Sequence, residues 1–270
     1  MGLSNRRNPF TYSLLIFFQY ALGSATTVWG ATLKTNPAKF PTSIQPFAPY
    51  ILYAQENAWW GIPVSMLFLG AIQVFKKSHG NPIIWNSVHG ILNDFRDKVF
   101  PNQPAEHEHR VTLFRHYDSY FCLRTLLTRF PWSGCLVPVV RSGEVTQNPH
   151  VIFNAPPDTP NKSTGVAGLT WESRECQHIS NLPDLDTTSA ERRIHSYASK
   201  TKSSPANIAK KVKKGKILAR SFYGIPVEVK GKTWGVIILD SRNPQIPNAE
   251  GIKQLYRNLA IPLERLLENA

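Results

Sequence analysis

The sequence predicts an α+β domain carried behind an N-terminal pair of membrane-spanning helices. Two long apolar stretches without charge lie within residues 1–80, runs of β-formers flank a glycine turn near the end of the chain, and apolar stripes of helical period bracket those runs. At 270 residues, 42% apolar and 18% charged, the chain suffices for an anchor plus one domain of ordinary size, and disorder is excluded as its main state. Lys and Arg outnumber Asp and Glu by 31 to 18, a formal charge of +13, which favours anionic partners without choosing among lipid, nucleotide and nucleic acid. Cys122, Cys135 and Cys176 are odd in number with no CxxC spacing, so neither a disulfide framework nor a zinc ribbon is indicated and a reducing compartment fits best.

The first element is a span over about residues 10–33. No charge occurs between Arg7 and Lys34, and at ~1.5 Å per residue such a helix crosses a bilayer core of ~30 Å. The second span covers about residues 57–75, opened by Trp59-Trp60 and closed by Lys76-Lys77, the aromatic and cationic anchors of a membrane interface. Gln19, Thr26-Thr27 and Pro63 fit these spans least. Buried core helices would give a similar pattern, and Arg6-Arg7, an apolar run and Gly23-Ser24-Ala25 imitate a cleaved signal peptide. A second span and three thiols argue against secretion. Arg6, Arg7, Lys76 and Lys77 flank the spans, whereas the loop between them has only Lys34 and Lys39, so the positive-inside rule puts both termini in the cytoplasm. Pro37, Pro41, Pro46 and Pro49 predict irregular backbone in the first half of that loop, with Tyr50 to Ala54 in the membrane interface. Small residues four apart at Ala21/Ala25 and Gly61/Ser65 let helix backbones approach, within the hairpin or in a homo-oligomer.

Residues 81–270 form the cytoplasmic domain. Ile84, Val88, Ile91, Leu92, Phe95 and Val99 fall at helical spacing, and Asp94, Arg96, Asp97 and Lys98 lie largely opposite them. The alternation in Arg110 to Tyr117 predicts a strand, Cys135 to Val140 another, and the prolines of Asn154 to Thr164 a loop. Gly224 to Ser241 holds two runs of β-formers around Lys-Gly-Lys-Thr, a β-hairpin whose stretch Val236 to Leu239 should be buried on both faces. Ile252, Leu255, Leu259, Leu263 and Leu266 mark one stripe of a closing helix from Ala249 to Glu268 despite Pro262.

From about Asn86 to Ala270 the chain resembles the GAF family of small-molecule sensor domains. The Pro-containing strand, glycine turn and Gly-Val-Ile-Ile-Leu strand are similar to that family's closing pair, and Gly165 to Glu172 followed by Gln177 to Asn181 is similar to its short helix leading into a strand. The resemblance implies an antiparallel sheet with a ligand pocket on one face, roofed here by Asn181 to Ser221. That roof has no acidic residue after Glu191, while Arg192, Arg193, Lys200, Lys202, Lys210, Lys211, Lys213, Lys214, Lys216 and Arg220 are cationic. Two readings stay open for Lys210 to Lys216: contact with an anionic ligand, or a solvated helix face lying on anionic lipid. Placement in the resembling motifs gives Trp171, Arg174, His178, Arg220 and Tyr223 as ligand-binding candidates.

The resemblance implies a pocket of the kind used for cyclic nucleotides, small metabolites, haem or bilins, and the cation cluster favours a small anionic ligand such as a cyclic nucleotide, with no catalytic residue and no cofactor expected. Cys176 is followed by Gln177 and not by the His that accompanies a bilin-bearing cysteine, and the cysteine pattern of the methionine sulfoxide reductases is not reproduced. Glu106-His107-Glu108-His109, with His116 and Asp118, are possible metal ligands but are read as solvated loop residues, so no metal is expected. No recognition motif or stacking ladder accompanies the charge, and direct nucleic-acid binding is not expected. The expectation is a multi-pass protein of the bacterial inner membrane that signals through its spans, as membrane-disrupting anti-phage effectors do. The alternatives are a passive anchor whose domain regulates a partner protein, and a thiol-dependent reductase.

Overall fold

The computed structural model describes residues 9–36, 39, 41, 43, 45–79, 81–101, 108–118, 134–142, 151–157, 162–246 and 248–269, and the chain divides into two compact units between residues 83 and 84. The first unit contains helix α1 (Pro9–Thr32), a 3₁₀ turn (Gln45–Phe47) and helix α2 (Ala48–His79). The stretches Tyr12–Thr32 and Gln45–Phe75 are long and apolar enough to cross a membrane. Large apolar side chains such as Phe17, Tyr20, Trp59, Leu67 and Val74 face outward, which lipid tolerates and water does not. The hydroxyls of Thr26 and Thr27 donate to Leu22 O and Gly23 O at 2.7 and 2.9 Å, so these polar residues are satisfied inside their own helix.

Helix α2 begins earlier than the sequence predicts. Tyr50 to Ala54 form its first turns, and Pro49 sits in the first turn, where its missing N–H leaves no helical acceptor unpaired. The two helices are joined by polar bonds at one end of the hairpin. Gln55 Nε2 donates to Thr32 O and Thr35 O at 2.6 and 2.8 Å, capping α1, and Trp29 Nε1 donates to Ala54 O at 2.8 Å. The Trp29 indole lies on Gly61, where a Cβ would come within 2.3 Å of its ring. Gly61 therefore serves the hairpin itself.

The second unit takes in helix α3 (Pro82–Val99) from Ile84 onward, followed by strands β1 (His109–Tyr117), β2 (Cys135–Arg141) and β3 (Phe153–Asn154), helix α4 (Gly165–Ser173), strand β4 (Gln177–Ile179), helices α5 (Glu191–Lys200) and α6 (Pro205–Lys213), strands β5 (Ser221–Val229) and β6 (Lys232–Ser241), and helix α7 (Ala249–Glu268). The strands make one antiparallel sheet in the order β3-β2-β1-β6-β5-β4. This is the α+β class the sequence predicts. Lys230 and Gly231, with φ of 53° and 70°, form the two-residue turn between β5 and β6, a left-handed geometry that matches strand twist. Strand β6 lies between β1 and β5, which is why Val236 to Leu239 are buried on both faces.

Register separates the two faces. Val111, Leu113, Tyr223, Ile225, Ile237 and Leu239 face α3 and α7, where Trp85, Val88, Leu92, Phe95, Ile252, Leu263 and Leu267 complete a dry core. Each large side chain so buried contributes about 1.5–3 kcal/mol of transfer free energy. The alternate residues face α4, which approaches so closely at Gly224 that a Cβ there would lie 2.0 Å from Thr170 Oγ1. Helices α5 and α6 have a small core of their own, built by Leu182, Leu185, Tyr197, Ala198, Ile208 and Val212.

Candidate functional site

The α4-facing side of the sheet holds an arginine paired with a buried aspartate. Across β1, β6 and β5, Arg110 pairs with Asp240 and Asp240 with Phe222; one step along, Arg141 pairs with Thr112 and Thr112 with Ile238. Directly paired residues share a face, so these side chains form two adjacent rows. Above them the N-terminal turn of α4, the end of α5, α6 and the segment 216–219 enclose a cavity of about 950 Å³. This is the segment expected to roof the pocket. The volume lies within the range of small-molecule sites.

The cavity has a polar end and an apolar end. Arg110 Nε donates to Asp240 Oδ1 at 2.7 Å, and Arg141 Nε donates to Thr112 Oγ1 at 3.0 Å. Lys211, Lys216, Tyr197, Thr201 and Ser203 border the same space. Phe114, Phe153, Phe222 and Ile238 supply the apolar part of the lining. Among the described lining residues, four are cationic and Asp240 alone is acidic. Burial lowers the pKa of Lys211, and its neighbours Lys216 and Arg110 lower it further. Burial likewise lowers that of Arg141, opposed by Asp240, whereas Arg110 is raised chiefly by Asp240. Cations held against desolvation and mutual repulsion gain from an anion placed among them. Tyr197 donates its hydroxyl to Ala219 O at 2.8 Å, fixing the roof to α5, and burial raises its pKa.

None of the five sequence-predicted residues lines this cavity. Tyr223 points into the dry core, and His178, paired with it in register, lies on the same side with ring centroids 5.8 Å apart. Burial, followed by Cys176, raises the Tyr223 pKa to about 12. Trp171 is on the cavity side of the sheet but packs on His116, rings 4.1 Å apart and 13° from parallel, and among the described residues its indole N–H has no hydrogen-bond partner. Arg174 is the exposed left-handed residue that ends α4. Arg220 Nε donates to Leu182 O at 3.4 Å and its guanidinium lies 3.9 Å from Asp184, so it ties the roof down from outside. Of the roof cations, Lys211 and Lys216 line the cavity, while Lys210, Lys213 and Lys214 do not.

The polar residues on the cavity floor sit inside strands. Arg110, Thr112 and Asp240 have the parity of Phe114 and Ile238, and a charge that shares the period-two face of buried apolar residues in a strand is the signal that marks Arg110 and Asp240.

Two of the histidines read as solvated, His109 and His116, are not so. His109 is buried in β1, stacked on Phe100 with centroids 4.3 Å apart and bonded through Nδ1 to Ser241 Oγ at 2.9 Å. His116 Nε2 donates to Ala155 O at 2.8 Å. His107 and Cys122 lie outside the described residues, among which no group of three His, Cys, Asp or Glu could hold a metal. Cys135 starts β2 and Cys176 immediately precedes β4, four strand spacings away. At ~4.8 Å per spacing they are roughly 19 Å apart, too far for a disulfide between them.

No family model and no curated protein matches the chain. Solved structures similar to it include the GAF domain of a phosphoenolpyruvate-protein phosphotransferase from Acinetobacter, 16% identical over 68% of this chain and 82% of that one, with a TM-score of 0.42. The GAF domain of the corresponding Coxiella burnetii protein is 16% identical over 73% and 89%, TM-score 0.42. A type II free methionine-R-sulfoxide reductase from Thermoplasma acidophilum is 13% identical over 68% and 94%, TM-score 0.39. At such identities the likeness concerns the fold alone.

Proposed function

We propose that this chain is a membrane-anchored sensor whose C-terminal unit binds a small anionic ligand in the cavity beneath α4, α5 and α6. One observation carries the reading: among the described residues four cations and a single carboxylate line a cavity of about 950 Å³ whose other end is aromatic and aliphatic. The resemblance of the closing hairpin to GAF sensor domains points the same way. No catalytic role is assigned to any residue, and the two thiols that the structure describes are too far apart for a redox pair.

The anchor is the α1–α2 hairpin, with both termini in the cytoplasm of a bacterial inner membrane as the Lys and Arg distribution favours. Occupancy of the cavity then acts on the spans of a homo-oligomer, the output of a membrane-disrupting defence effector. The ligand class includes nucleotides, whose phosphate suits Arg141 and Lys211 and whose base suits the phenylalanines.

Thermal unfolding of the detergent-solubilised full chain against a panel of nucleotides, organic phosphates and dicarboxylates tests the binding reading. A true ligand raises Tm with the logarithm of its concentration. Arg141→Met should remove that rise while leaving the ligand-free Tm in place. A panel in which no anion stabilises the protein at millimolar concentration overturns the reading.

A further inference from the structure

We propose that the ligand of this cavity is amphoteric: an organic phosphate or carboxylate that also carries an N–H donor, which Asp240 receives. The inference rests on the anion reading and deepens it. A site that selected anions by charge alone would be better without a carboxylate, because like charges at close range oppose binding. Yet Asp240 is 8% exposed and lines the cavity.

Its hydrogen bonds are incomplete. Oδ1 accepts from Arg110 Nε at 2.7 Å, and no other described residue donates to this carboxylate. An ionised carboxylate has about four acceptor positions, and those that Arg110 does not use open onto the cavity, within reach of a donor placed there. A donor on the ligand fills them.

The pairing also divides the cations into two sets. Arg110 is neutralised by Asp240, so Arg141, Lys211 and Lys216 remain for the anion. Among the described residues Arg141 hydrogen-bonds a neutral group, the Thr112 hydroxyl, and feels Asp240 only at a distance, so its positive charge is compensated less than that of Arg110. In register, the Arg141–Thr112–Ile238 row lies two residues along the strands from the Arg110–Asp240 row, about 7 Å, and Arg141 on β2 stands two strand spacings across from Asp240 on β6, ~9.6 Å sideways. The Arg141 side chain reaches back over β1 to Thr112 and closes part of that gap, which lets one compact ligand meet both with its anion and its N–H donor. The remainder of the ligand meets Phe114, Phe153 and Phe222.

Two probes that differ by one ammonium group test this: ethyl phosphate and phosphoethanolamine, titrated calorimetrically into the full chain in detergent. The wild-type protein is expected to bind phosphoethanolamine at least about tenfold more tightly, the effect of one hydrogen bond to a charged partner. Asp240→Asn keeps an oxygen that accepts from Arg110 but removes the charge. It should erase the preference and bind ethyl phosphate as well as the wild type or better. Equal binding of the two probes by the wild-type protein overturns the inference while the anion reading stands, and that comparison needs no variant to fold. So does equal weakening of both by Asp240→Asn, which would make Asp240 only a positioning residue for Arg110. Binding of neither probe, together with a flat thermal panel, overturns the anion reading and this one with it.

Discussion

One side of the central sheet is a packed core and the other is a charged cavity, although the same strands build both. On β1 the alternation runs Arg110, Val111, Thr112, Leu113, Phe114, and on β6 it runs Val236, Ile237, Ile238, Leu239, Asp240. The odd-numbered residues meet α3 and α7, which are long, amphipathic and rich in Leu, Ile and Phe. The even-numbered residues meet shorter helices that hold a separate small core and leave space beneath them. A site of this kind costs little fold stability, because the dry side supplies the cohesion. The wet side is free to hold groups that would be unfavourable in a core.

The largest expected effect is a variant that disrupts the alternation itself. A Cβ at Gly235 would lie 2.0 Å from Phe114 O, a backbone atom held in the β1–β6 ladder. Gly235→Val should therefore shift or break that pairing and cost more than about 4 kcal/mol, read as loss of cooperative thermal unfolding. A one-residue slip would exchange the two faces, so no partial adjustment rescues both core and cavity.

Single-face variants sharpen the contrast. Leu239 is fully buried on the dry side, and Leu239→Ala should cost about 2–5 kcal/mol in denaturant-induced unfolding. Arg141→Met on the other side keeps length and apolar volume and removes a charge that burial disfavours. Its unfolding midpoint should stay near that of the wild type while anion binding is lost. Equal stability losses from the two variants would show that the cavity side is as much core as the other.

Much of the fold was legible because its signals are local. The hairpin at Gly224–Ser241 and the stripe on α7 depend on periodicity and a glycine turn, and both formed where periodicity put them. Helix α2 was longer than its uncharged stretch because Pro49 is harmless in a first turn. The site residues were less legible. Tyr223 and Phe222 are neighbours of similar character on β5, yet Phe222 lines the cavity and Tyr223 the core. Period two says that they face opposite ways. Only the packing of distant helices decides which way is which. Arg110, Arg141 and Asp240 are separated by long stretches of chain and become a cluster solely through register.

The smallest expected effect concerns pH and two histidines of β1, His109 on the dry side and His116 on the other. Burial, the largest influence, lowers the pKa of His109; Glu108 and Asp240 oppose it, and Arg96 adds to it. His116 is lowered too, again mainly by burial, against its bond to Ala155 and the charge of Asp118. An unfolded histidine has a pKa of about 6.5, so below that pH the unfolded chain takes up protons that the folded chain does not. Stability is then fully present above about pH 6.5 and declines as the pH falls toward the lower folded pKa values. His109→Gln should flatten part of that decline, with Gln retaining a donor and an acceptor for Ser241 but not the ring that stacks on Phe100. Tm measured between pH 7.5 and 5 in wild type and variant is the check. An identical slope in the two proteins would mean that His109 titrates in the folded chain as it does in the unfolded one, and that the buried side of the sheet is more open to solvent near β1 than its packing indicates.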